Sequence, residues 1–280
     1  MKKIKLSIVI LLILLLLNIP LAYSLEVSTH EAINKSIAEG SFNGFSLDTY
    51  LKNNLGFTDG KKESVNGQEI WMWVSDGGRY EDKPPWTIPY VRSVNHFHNP
   101  LKAWSNAGLY DVFIGMSPVV WAQDQSSATI LNGGDWSWVK ARENFYIALT
   151  GKDFNGNVVA STQQEREKYF AKTFRAVGQV MHLVQDASVP AHVRNDSHIW
   201  GEGYEEWVKK IMTKNPSLFE SFISNPLFYD ISILNETSNP LAPIPIAKRK
   251  KREKGSGLYF YYISFIARLK TPNFPRRNRF

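Results

Sequence analysis

Histidine and acidic residues gather in one short segment of the sequence, close to position 182. His182, Asp186 and His192 lie within eleven positions, and all three have side chains that bind divalent metal ions. On an α-helix, a residue and the fourth residue after it share one face, so His182 and Asp186 could bind one cation from adjacent turns. Pro190 must end that helix, which lets the chain turn and His192 point back toward the same place. The spacing therefore predicts a metal site.

Two further groups of candidate ligands flank this segment. Upstream, Asp82 and His96 stand at the two ends of a loop that could bring both side chains to one site. Downstream, His198 and Glu202 again have a spacing of four, and Glu205 follows closely. Histidine with carboxylate is the donor set that zinc commonly takes in proteins.

The beginning of the chain offers a different kind of ligand. Lysines near Met1, an apolar run over residues 6–17 and small residues before position 25 are typical of a secretory signal peptide, residues 1–24. Cleavage would leave Leu25 first, and its α-amino nitrogen and carbonyl oxygen could chelate a metal together with nearby His30. The apolar run is shorter than the roughly 20 residues of a membrane span, and an uncleaved anchor is the alternative.

Helices are expected to position these groups, because the periodic segments have helical spacing and strand signals are sparse. The clearest helix is predicted to begin at Thr162, where Glu165 completes a capping box, and to end before Pro190. The stretch 76–89 is rich in glycine and proline and predicts a long ordered loop. Other helices are predicted at residues 28–39, 47–55, 136–149 and 204–212.

The order and spacing of these ligands resemble a known family. The pattern Asp-x13-His followed by His-x3-Asp-x5-His is similar to that of the zinc-dependent phospholipase C and S1/P1 nuclease superfamily. The string Asn-His-Phe-His-Asn-Pro at 95–100 is close to the phospholipase branch, whereas the distance from Leu25 to His30 is more like the nuclease branch. The resemblance covers about residues 25–212. It implies an all-α, multi-helix domain of the phospholipase C / P1 nuclease type.

The resemblance also implies about three zinc ions with defined ligands. The first would be held by His96, His182 and Asp186, the second by Asp186, His30 and the main chain of Leu25, and the third by His192, His198 and Glu202. Glu205 competes with Glu202, because the string Gly-Tyr-Glu-Glu-Trp-Val at 203–208 also resembles the surroundings of the family's glutamate ligand. His98 is left over and is interpreted as a loop histidine bonded to backbone.

Such a site points to phosphodiester hydrolysis. Two zinc ions about 3.5–4 Å apart can share a hydroxide and lower its pKa toward 7. Asp82 is the candidate to orient or deprotonate the attacking water, and Glu81 is the alternative. The predicted protein is an exported, phospholipase C-like hydrolase, secreted or periplasmic, whose substrate is a phospholipid head group or nucleic acid. The alternatives are a single-strand-preferring nuclease of the S1/P1 type and a non-catalytic, zinc-stabilised helical protein.

Charge divides the chain into unlike parts. Residues 248–280 contain eleven Lys and Arg against one acid, which leaves residues 25–247 with 19 basic and 25 acidic side chains, a net charge of −6. The tail is interpreted as disordered or as an aberrant C-terminus, the alternative being peripheral membrane contact or nucleic-acid binding. There is no cysteine, so packing or metal must stabilise the predicted domain, residues 25–247. No obligate protein partner is evident.

Overall fold

The computed structural model describes residues 27–42, 44–85, 91–111, 113–128, 133–196 and 203–224. The predicted signal peptide and the basic tail lie outside these ranges. Within them the protein is mostly helical, with 60% of residues in helices and 6% in strands, which confirms the helical fold class. None of the helices formed by the described residues combines the length and the hydrophobicity that crossing a membrane requires.

The first part of the described chain contains three helices and two small hairpins. In chain order these are α1 (Val27–Glu39), β1 (Ser41–Phe42), β2 (Phe45–Ser46), α2 (Leu47–Leu55), β3 (Ser64–Val65), β4 (Gln68–Glu69) and α3 (Ile70–Tyr80). Strands β1 and β2 pair antiparallel, with Ser41 opposite Ser46. Strands β3 and β4 pair in the same way, with Ser64 opposite Glu69.

The second part is helical. It begins with 3₁₀ turns at Ser93–His96 and Trp104–Asn106 and continues with α4 (Pro118–Trp121), α5 (Trp138–Thr150), α6 (Gln163–Asp186), α7 (Pro190–Arg194), α8 (Gly203–Lys214) and α9 (Pro216–Ser224). The predicted helix 47–55 is confirmed as α2. The helix predicted to start at 136 begins two residues later, because the Ser137 hydroxyl accepts a hydrogen bond from the Lys140 amide and caps α5.

Helix α6 is the central element of the fold. The predicted capping box is confirmed: the Glu165 amide donates to the Thr162 hydroxyl at 3.2 Å, and the Thr162 amide donates to the Glu165 carboxylate at 2.9 Å. Val180, Leu183 and Val184 on one side of α6 pack with Trp121, and Phe174 packs on the other side in a separate cluster with residues of α1, α2 and α3. Helix α6 therefore links these two clusters of the hydrophobic core.

The prediction of a loop over 76–89 is wrong for its first residues, which form the end of α3. The glycines there allow helices to approach closely. A Cβ at Gly77 would lie 2.7 Å from the Cα of Gly178 in α6, and a Cβ at Gly78 would lie 2.8 Å from the carbonyl oxygen of His30 in α1. The backbones of α1, α3 and α6 are therefore in close contact, with almost no side chains between them. The candidate ligands lie at this contact.

Candidate metal centre

Five buried histidine and aspartate side chains converge where α1, α3 and α6 meet. Each is at most 1% exposed to solvent. Helix α1 carries one of them, the segment just after α3 another, the 3₁₀ turn at Ser93–His96 a third, and the last two turns of α6 the remaining two. In that order they are His30, Asp82, His96, His182 and Asp186.

Asp186 lies between histidines that come from different elements. Its Oδ2 atom lies 2.8 Å from His96 Nδ1 and 3.3 Å from His182 Nε2. Its Oδ1 atom lies 3.3 Å from His30 Nε2 and 3.8 Å from His192 Nδ1. The two oxygens of one carboxylate thus face imidazoles from different elements.

Asp82 faces the same centre from the other side. Its Oδ1 atom lies 3.6 Å from His96 Nδ1 and 3.7 Å from His182 Nε2. Both Asp82 oxygens, both His96 ring nitrogens and His182 Nε2 are buried and make no hydrogen bond of acceptable geometry. Buried polar atoms are costly unless they have a partner, so a group that adds partners to the ion pairs of the centre would stabilise it.

A divalent cation is such a group. Two triads have ligand atoms that all lie within 4.8 Å of one another: His30 with Asp82 and His182, and His96 with His182 and Asp186. Imidazole with carboxylate favours zinc and neighbouring transition metals over calcium and magnesium, which prefer oxygen ligands alone. These residues could therefore hold a metal ion.

Contacts on the outer side of three histidines orient their rings. In each, Nδ1 lies within hydrogen-bond distance of an oxygen: Gln185 Oε1 for His30 (2.8 Å), the Gly78 carbonyl for His182 (2.6 Å) and the His96 carbonyl for His192 (3.0 Å). A carbonyl only accepts, so Nδ1 carries the proton and the Nε2 lone pair is left for a metal. Gln185 in turn donates to Asn34 at 2.7 Å.

His96 is oriented the other way round. Its Nδ1 faces Asp186 and Asp82, and its Nε2 lies 3.7 Å from Oε1 of Glu81. The Glu81 carboxylate accepts hydrogen bonds from Arg92, from Trp121 and from Gln179, whose amide donates at 2.7 Å. These donors occupy the Glu81 carboxylate, whereas both oxygens of the neighbouring Asp82 make no hydrogen bond.

Glu205 lies next to His192, beside the five central side chains. Its Oε1 atom is 3.6 Å from His192 Nε2, and both side chains are almost completely buried. The Phe97 ring stacks on the His192 ring with centroids 4.5 Å apart. This arrangement puts a carboxylate from α8 and an imidazole from α7 side by side.

Charges inside the cluster shift several pKa values. Burial acts against ionisation of Asp186, but His182, His96 and His192 outweigh it and hold its pKa well below the ordinary value. Burial also opposes the protonation of His96, yet Asp186 raises its pKa to about 10. The pKa of His182 is raised for the same reasons, and that of His30 is lowered, first by burial and then by His182. Protons therefore compensate Asp186 when no metal is bound.

The remaining sequence predictions have different outcomes. Leu25, His198 and Glu202 lie outside the described residues. The Nδ1 atom of His98 lies 2.9 Å from the Ser117 hydroxyl oxygen. Asn34 and Gln179 were not anticipated, although helical spacing could have found them: Asn34 is four residues after His30, and Gln179 is three before His182.

Comparisons of this chain with protein-family models, with curated proteins and with solved structures found no match.

Proposed function

We propose that this chain is an exported, zinc-dependent hydrolase of phosphodiester bonds that acts like a phospholipase C. In this proposal it has the multi-helix fold of the phospholipase C / P1 nuclease superfamily, which its ligand spacing resembles. Export rests on the signal peptide predicted for residues 1–24.

The position of Asp186 carries the proposal. A carboxylate that faces His30 with one oxygen and both His96 and His182 with the other is suited to hold two cations together. Bound zinc would supply a coordinated water of lowered pKa and a positive charge for the phosphoryl oxygens. Bound metal would also compensate the many buried charges that are gathered in one place and are expensive to desolvate.

Asp82 is the proposed catalytic residue. Its two oxygens are buried at the centre and accept no hydrogen bond, whereas the carboxylate of its neighbour Glu81 is occupied by three donors. An acceptor within reach of the same histidines could orient a water molecule and take its proton. Loss of this proton transfer alone lowers rates by about 10²–10⁴-fold in enzymes that use it.

The test compares two Asp→Asn variants. Asp82→Asn is expected to lower the hydrolysis rate of the zinc-loaded protein at least about 100-fold. Asp59→Asn is the control, because Asp59 is exposed and precedes a surface 3₁₀ turn. Both are assayed side by side on phosphatidylcholine vesicles and single-stranded DNA, which separates phospholipase from nuclease action. Full activity of Asp82→Asn on whichever substrate the wild type cleaves would exclude the assigned role.

One observation favours a non-catalytic alternative. All five central side chains are at most 1% exposed, and structural zinc sites are closed in this way, whereas a catalytic site keeps a position open for water. A protein that binds zinc only for stability would lose its fold on chelation but would cleave neither substrate. The same assays distinguish the two functions.

A further inference from the structure

A buried ion pair lies directly behind one of the candidate ligands. Arg92 Nη2 donates to Glu81 Oε2 at 2.8 Å, and both side chains are fully buried. Arg92 also donates to Gln125 Oε1 at 2.7 Å and to the Gly134 carbonyl at 2.8 Å, and its guanidinium lies 5.0 Å from the centre of the Trp121 ring. The pair is thus fixed by contacts from several segments.

Stability alone does not account for this pair. Desolvating two charges costs about as much as their attraction returns, and apolar residues of similar volume often replace buried ion pairs without loss. The Glu81 carboxylate is held on both oxygens: Arg92 and Gln179 donate to Oε2, and Trp121 donates to Oε1 at 2.9 Å. A carboxylate held this rigidly is suited to fix the orientation of a neighbouring side chain.

The side chain next to the Glu81 carboxylate is His96, whose outer ring edge faces it. His96 Nε2 is 3.7 Å from Glu81 Oε1, while His96 Nδ1 faces Asp186 and Asp82. His30 and His182 of the centre and the neighbouring His192 are held through Nδ1, so His96 differs from them in the nitrogen that it presents. A carboxylate behind a ring nitrogen retains the proton there and leaves the opposite nitrogen free for a metal.

We propose that Glu81, held in place by Arg92, is a positioning residue that orients His96 and makes Nδ1 its metal-binding nitrogen. This inference rests on the metal centre of the proposed function and goes beyond it, because it assigns a role to an ion pair that touches neither substrate nor metal. It predicts that the ion pair acts on metal affinity through His96.

The experiment measures zinc affinity in variants of the full chain. Glu81→Gln keeps the shape of the side chain but removes the charge behind His96. It is expected to weaken the binding of at least one zinc ion by about 10–100-fold, the usual cost of losing an outer partner of a metal-binding histidine. The visible absorption of the Co²⁺-loaded protein is expected to change as well, since it reports the ligands around the ion.

Two further variants separate positioning from damage to the fold. Glu81→Gln alone leaves Arg92 buried without its counter-charge, which could prevent folding. The double variant, Glu81→Gln with Arg92→Met, avoids this problem because it removes both charges. Gln125→Met is the matched control, because it removes another acceptor of Arg92 at a similar distance but leaves the Glu81–His96 contact intact. Thermal melting of each metal-free protein measures the structural effect separately.

The proposal expects weak zinc binding in the double variant and affinity within about threefold of wild type in Gln125→Met. A folded double variant that binds zinc as tightly as wild type would overturn it, and so would an equal loss in Gln125→Met. Failure of the proposed function looks different. In that case the wild-type chain would cleave neither phosphatidylcholine nor single-stranded DNA, while the zinc affinities of the variants would still decide the role of Glu81.

Discussion

Asp186 is the residue on which the candidate centre depends most. It is fully buried, and imidazoles from α1, α6, α7 and the 3₁₀ turn before Phe97 surround it. The charges around it keep it ionised in spite of burial. A permanent negative charge at this position attracts either protons on the histidines or a divalent cation, and the cation satisfies more of the surrounding atoms.

Removing that charge should abolish binding of the metal ions that Asp186 would hold. Asp186→Asn keeps the size of the side chain but loses the anion and one acceptor oxygen, so we expect the zinc content after dialysis to fall by about two ions per chain, the two assigned to Asp186. Elemental analysis of the dialysed protein measures it. Asp59→Asn, the exposed control, should retain the full amount, and an Asp186→Asn variant with wild-type zinc content would show that the ion binds elsewhere.

Metal binding should also release protons. The pKa of His96 is raised to about 10, so its ring is protonated at neutral pH when no metal is present. A metal binds only a neutral ring, and zinc must displace this proton. The apparent zinc affinity should therefore rise between pH 6 and pH 8, by up to about tenfold per pH unit for each proton released.

Calorimetric titration in buffers of different ionisation enthalpy measures this proton release. Zinc binding that is independent of pH, or that takes up protons, would contradict the charge state assigned to His96.

Some of these residues could be predicted from the sequence and others could not. His182, Asp186 and His192 are recognisable because helical spacing and a terminating proline put them together within one local segment. Glu81 was interpreted as a possible base because its type and position allow it. Its three hydrogen-bond donors come from three separate parts of the chain, and only the folded structure brings them together.

The contact between α3 and α6 determines how the ligands of the two helices face each other. A Cβ on Gly178 would lie 2.9 Å from the Cα of Gly77. A side chain could relieve such a contact by changing its rotamer, but a backbone atom cannot. The two helices would have to separate, which moves His182 and Asp186 away from Asp82.

Gly178→Ala is therefore expected to destabilise the protein by about 1–3 kcal/mol and to weaken zinc binding. Urea unfolding of the metal-free protein and zinc titration measure the two effects. Wild-type values in both measurements would mean that the close approach of α3 and α6 does not position the site.

The start of α6 offers a test of stability without contact to the centre. Thr162→Ala removes the hydroxyl that accepts from the Glu165 amide and should cost about 1 kcal/mol of unfolding free energy. Ser161→Ala is the matched control, since only the backbone amide of Ser161 takes part in the cap, donating to Glu165 at 2.7 Å. Urea unfolding should show the loss in Thr162→Ala alone, and equal stability of both variants would contradict the capping role.

Helix existence was easier to predict than helix length. The capping box of α6 and the boundaries of α2 follow from local chemistry, which the sequence displays. The end of α3 was interpreted as a loop because Gly77 and Gly78 are read as turn residues when their neighbours are unknown. Their use as contact points against α1 and α6 depends on tertiary packing, which overrides local propensity.

The described part of the chain has no disulfide available to it, because the sequence contains no cysteine. Two apolar clusters on α6 and the polar centre between α1, α3 and α6 are what hold these helices together. A metal that binds only the folded protein adds stability in proportion to the logarithm of its concentration, about 2.7 kcal/mol at a hundredfold excess over Kd. Metal would thus serve both the fold and the proposed chemistry.

The metal content of the purified chain tests most directly whether the buried histidines and aspartates form a metal centre. Elemental analysis after loading with zinc and removal of excess should find about three zinc ions per chain, the number implied by the superfamily resemblance, and chelation should abolish phosphodiester hydrolysis until zinc is restored. A folded protein that retains less than one divalent ion per chain would contradict the assignment of the buried histidines and aspartates as a metal centre.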